Sequence, residues 1–75
     1  MLPLLLAEKG SPLKIERITG KEETKRFLEN LGFSVGSAIT VVNDMNGSLV
    51  VKVKDSRVAL GRDVTGHIMV SKELN

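Results

Sequence analysis

The chain is predicted to be mainly β: a small five-stranded barrel with one inserted α-helix, and three observations support this. Apolar and charged residues alternate in short runs divided by turn residues, one stretch near residues 19–31 switches to a period near 3.6, and 75 residues are too few to cover both faces of an open sheet. Curling the strands on themselves, with the helix over one end, is the economical arrangement for residues 1–75 as one domain.

Met1-Leu2-Pro3-Leu4-Leu5-Leu6-Ala7 is too short to span a bilayer, which takes about 20 apolar residues, and Glu8 and Lys9 interrupt it. It reads as a buried arm or short first strand over the core. Leu13-Lys14-Ile15-Glu16 alternates apolar with charged, as a half-buried strand does, and runs up to Ile18.

The helix can be read position by position. Thr19 and Glu22 have capping-box spacing, so it is expected to start near Gly20. Phe27, Leu28 and Leu31 make a narrow core-facing stripe, while Glu22 with Arg26 and Lys25 with Glu29 form i,i+4 pairs on the wet side. Gly32 closes the helix after Leu31, with Phe33 placed to touch Leu28 in a Schellman ending.

Phe33-Ser34-Val35-Gly36-Ser37 is then a turn, and Ala38-Ile39-Thr40-Val41-Val42 is strand-like. Asn46-Gly47 signals a hairpin. Beyond it Leu49, Val51 and Val53 face the core and Lys52 and Lys54 face water. Asp55-Ser56 is a second turn, Val58 and Leu60 continue the alternation, residues 61–66 break it, and Ile68-Met69-Val70 is a last short strand.

Composition narrows the function. Without cysteine there is neither disulfide nor thiolate metal site, which suits a reducing, cytoplasmic compartment. A net charge of +2 with both signs interspersed is solvation, not a nucleic-acid footprint.

Arg26-Phe27-Leu28-Glu29-Asn30-Leu31-Gly32-Phe33-Ser34-Val35-Gly36-Ser37, followed by Ile39 and Val41-Val42, resembles the FeoA family pattern of a helix ending in Leu-Gly, a turn glycine and a strand. Val51-Lys52-Val53, Arg57-Val58-Ala59-Leu60-Gly61-Arg62 and Ile68-Met69-Val70 resemble that family's closing strands and the one-turn segment linking them. Three places depart from the pattern: Val35 stands where the family usually has proline, the loop at Asn46-Gly47 is short, and Thr65 takes a buried position that the family fills with alanine.

The resemblance implies an SH3-like barrel that serves bacterial ferrous-iron uptake from the cytoplasm, by binding the membrane transporter that carries a GTPase domain. It implies no catalytic group and no cofactor. The alternative it leaves open is a metal-responsive domain of the iron-dependent repressor type, with weak transition-metal binding.

The residues themselves give little chemistry. His67 stands alone and reads as a solvated residue at a strand edge, not a metal ligand, because a site needs several converging donors. With one histidine and no cysteine there is no nucleophile–base pattern, and residues 32–36 lack the spacing of a phosphate-cradling loop, so neither an enzyme nor a nucleotide-binding protein is expected. Lys52, Lys54 and Arg57 form a basic strip read as a solvated sheet face, since Phe27 and Phe33 are assigned to the core and leave no stacking platform. The candidate partner surface is the helix and following turn, at Lys25, Arg26, Leu28, Glu29 and Phe33. Exposed strand edges and the apolar arm offer routes to a homo-oligomer.

Overall fold

The alternating residues build the inner face of one antiparallel sheet. The computed structural model describes residues 1–46 and 48–73. Its strands are β1 (Leu2–Pro3), β2 (Pro12–Ile18), β3 (Ala38–Met45), β4 (Ser48–Val53), β5 (Ser56–Leu60) and β6 (Ile68–Lys72), in the sheet order β1-β6-β2-β3-β4-β5. The five expected strands are present, and the amino-terminal arm adds the two-residue β1 against Met69 and Val70 of β6. Leu4–Leu6 then forms a 3₁₀ turn that buries Leu4.

The two helices are α1 (Glu22–Asn30) and the one-turn α2 (Arg62–Thr65). α2 packs against β4 and the 3₁₀ turn, which itself lies on β6, so these short segments link β4 to β6 across the curl of the sheet. The result is a curled sheet closed by short helical segments.

Inside lie Leu13 and Ile15 of β2, Ile39 and Val41 of β3, Leu49, Val51 and Val53 of β4, Leu60 of β5, and Ile68 and Val70 of β6, all buried. This is the period-2 inner face expected of half-buried strands. Bulges between Ile15 and Arg17 in β2 and between Val41 and Asn43 in β3 interrupt the ladders. Bulges raise local twist, which helps so short a sheet to curl.

The start of α1 differs from expectation. Its N-cap is Lys21, with no side-chain cap, and the Lys25 N–H donates to the Lys21 carbonyl at 3.0 Å. Thr19 is occupied elsewhere: its N–H donates to the His67 carbonyl at 2.8 Å, and its hydroxyl lies 3.2 Å from His67 Nδ1. Gly20, at φ +106°, turns the chain before the helix begins. Thr19 therefore fastens the end of β2 to the head of β6, and the capping box does not form.

The end of α1 follows the expected pattern. The Gly32 N–H donates to the Glu29 carbonyl at 3.0 Å and the Phe33 N–H to the Leu28 carbonyl at 2.9 Å, the paired bonds of a Schellman motif. Gly32 has φ +99°, and a β-carbon there would lie 3.5 Å from Val53 Cγ2 and 3.8 Å from the Lys54 stem. Gly32→Ala should destabilise the domain by about 1–2 kcal/mol, the cost of forcing an L-residue into left-handed backbone, read from the urea midpoint.

Three further expectations are corrected. Phe27 is 54% exposed, not core. At about 100° per residue it lies a quarter-turn from Leu28, which is the one buried residue within α1. The second turn is Lys54-Asp55, because Val53 pairs with Ser56 and Lys54 takes φ +53°. His67 is exposed, but in the turn leading into β6, which is an interior strand flanked by β1 and β2. In the first hairpin Met45 pairs with Ser48 and Asn46 takes φ +50°, as an Asn-Gly turn demands of its first residue; Gly47 lies outside the described residues.

Candidate functional site

Five residues of α1 and its following turn are the expected docking surface, and the fold divides them. Leu28 and Phe33 are fully buried in the hydrophobic core. Their side chains anchor α1 to the barrel and are not presented to a partner. Lys25 is half-buried, while Arg26 and Glu29 are exposed.

Taking Leu28 as the inward direction, Lys25 and Glu29 fall on one flank of the helix, Arg26 near the crest and Phe27 on the opposite flank. Lys25 and Glu29 form one wall of a depression whose other lining residues are Ile18, Ser34 and Val35. Val35 is 66% exposed. Ile18 belongs to β2, and Ser34 and Val35 to the turn after the helix, so three separate segments meet there.

The turn is held from both sides. The Gly36 N–H donates to the Ile15 carbonyl at 2.8 Å, the Ile15 N–H donates to the Ser37 carbonyl at 2.9 Å, and the Ser34 and Ser37 hydroxyls lie 2.9 Å apart. Val35 thus projects from a turn tied to β2, at the position where the sequence resemblance leads one to expect proline. Sequence reasoning did not identify Phe27, Val35 or Ile18 as surface components. An exposed valine two residues after a buried phenylalanine is legible only once the Schellman turn fixes the direction of Phe33.

The remaining candidates stay apart. Among the described residues no three His, Asp or Glu side chains gather as metal ligands would, and no helix is long and apolar enough to cross a membrane. The basic strip is present on the outer face of the sheet, where Lys52 and Arg57 are exposed and directly opposite one another. Thr65, in α2, is completely buried, and its hydroxyl has no hydrogen-bond partner.

Comparison with known proteins agrees with this geometry. The FeoA domain model matches residues 2–72. A candidate Fe(2+) transport protein A of Methanocaldococcus jannaschii is 30% identical over 70 residues, covering 93% of this chain and 85% of that protein. The crystal structure of an iron uptake regulatory protein, FeoA, superposes with a TM-score of 0.86 at 28% identity, over 96% of each chain. The apo manganese-activated repressor ScaR has a TM-score of 0.87 at 20% identity, over 96% of this chain and 35% of its own, and shares the fold. With residues 2–72 matched from the first strand through the last, the chain belongs to the FeoA family.

Proposed function

We propose that this chain is a non-enzymatic docking module of ferrous-iron uptake that works in the cytoplasm on a membrane transporter carrying a GTPase domain. Family membership supports the iron-transport setting, and the M. jannaschii relative carries an Fe(2+) transport name. The observation that carries the docking mode is the depression formed by Ile18, Lys25, Glu29, Ser34 and Val35. It combines an exposed apolar residue with charges of both signs on a rigid support, as protein interfaces do. In this reading the transporter supplies the chemistry and the module supplies a shaped surface.

The docking residues are Lys25, Arg26 and Glu29 with Val35, while Leu28 and Phe33 act indirectly by holding α1 in place. Arg26→Glu and Val35→Asp should each weaken capture of the purified GTPase domain by about tenfold, equivalent to about 1.4 kcal/mol. Capture at wild-type strength by both variants would reject this surface. Failure of the unaltered protein to bind the GTPase domain or the whole transporter would reject the function.

A further inference from the structure

The outer face of the sheet carries a second surface, formed by residues that α1 does not use. Lys14 of β2 stands opposite Ala38 of β3, Thr40 of β3 opposite Lys52 of β4, and Lys52 opposite Arg57 of β5. Opposed residues of antiparallel strands share a face, so Lys14, Lys52 and Arg57 point the same way, and all three are exposed. Beside Lys52 runs a groove lined by Ser37, Ala38, Ile39, Thr40, Lys52 and Lys54, with no acidic side chain in its lining, whereas Lys14 lines a neighbouring depression together with Glu16 and Glu73.

Two features set this face apart from ordinary solvated surface. Like charges directly opposite each other destabilise a sheet, and the Lys52–Arg57 pair is such a case. A face shaped only by solvation would gain from opposite charges there. Moreover, the groove floor is made of small residues, Ala38 and Thr40, alongside Lys52 and Lys54, so a chain can lie close to the sheet with its charges within reach of the ammonium groups.

We infer that this groove binds an extended acidic polypeptide segment of a partner protein. Lys52 and Lys54 stand two residues apart, on β4 and in the turn after it, about 7 Å in extended chain, which is the repeat at which alternate side chains of an extended segment point to one face. Carboxylates at every second position of a segment laid along β4 would meet Lys52 and Lys54 in turn, with Arg57 opposite Lys52. Protein carboxylate fits better than single-stranded nucleic acid, because Phe33 is buried, Phe27 lies on the flank of α1, and the groove lining offers no aromatic surface for a base. The inference does not depend on which protein supplies the segment.

The test is amide chemical-shift mapping on the whole chain, with an eight-residue peptide of alternating Glu and Thr as probe. A Gln-for-Glu peptide, an eight-nucleotide oligothymidylate and vesicles containing anionic lipid serve as comparisons. The acidic peptide should shift amides of residues 37–40 and 52–57 at low salt, and the K52E/R57E variant should weaken it at least tenfold while keeping a dispersed native spectrum. A Lys-for-Glu peptide should then bind that variant, and Arg26→Glu should leave the acidic peptide unaffected. No shift in this groove, equal binding of the Gln peptide, or tighter binding of the oligonucleotide or vesicles would overturn the assignment.

Discussion

Replacing Phe33 by alanine should remove about 3–5 kcal/mol of stability, which is the range for truncating a buried aromatic. A domain of 75 residues has about 4–11 kcal/mol in total at the usual 0.05–0.15 per residue, so the substitution removes from about a quarter of the stability to all of it. Three roles meet in this residue. Its ring is fully buried in the core, its N–H closes the Schellman bond to Leu28, and it fixes the direction of the turn that carries Val35. Urea denaturation followed by circular dichroism measures the loss. Phe33→Leu, a smaller change of volume, should cost well under half as much. Phe27→Ala should stay within about 0.5 kcal/mol, because that ring is 54% exposed. Near-equal effects for the two phenylalanine-to-alanine variants would contradict this division between core and surface.

Thr65→Val should move stability the other way, raising it by about 1–2 kcal/mol. The threonine is completely buried and its hydroxyl is unsatisfied, a state whose desolvation cost is about 1–3 kcal/mol. Valine keeps the shape and the β-branching and removes the polar atom. Each kcal/mol gained should raise the melting temperature by about 4–8 °C in a domain of this size. Thr65→Ala also relieves the hydroxyl but leaves a void the size of the lost γ-methyl and hydroxyl together, so its gain should be smaller. A valine variant that melts below the wild type would show that the hydroxyl has a partner in solution, such as a buried water.

How much of this was legible in the residues depends on whether a rule was local. The inward set Leu49, Val51 and Val53 follows from alternation alone, and Gly32 with Phe33 follows from helix-end chemistry, and both stand in the fold. The capping box failed because Thr19 has a competing partner 48 residues away, His67, which no local spacing reveals. Phe27 was misplaced because helical period gives the width of a stripe but not how much of it the barrel covers. Here the cover reaches Leu28 and leaves its neighbour exposed. The second turn slipped by one residue because Lys54 adopts a positive φ that lysine rarely takes, so the composition pointed instead to Asp55-Ser56.

The candidate surface was half legible. Charged residues at helical spacing located Lys25, Arg26 and Glu29, whereas the apolar component comes from Ile18 and Val35, brought together only by the tertiary fold. The like-charged row on the sheet was visible as a strip of Lys52, Lys54 and Arg57, but adding Lys14 requires the β2–β3 register.

The first and last strands are direct neighbours, with Leu2 opposite Val70. A larger polypeptide could therefore detour through this fold and rejoin its path almost where it left, like a bead threaded at one side. That geometry suits a cassette that evolution can splice into unrelated hosts without prying their architecture apart. Insertion into a surface loop of a carrier protein, with short linkers at both ends, should leave carrier and cassette folded together.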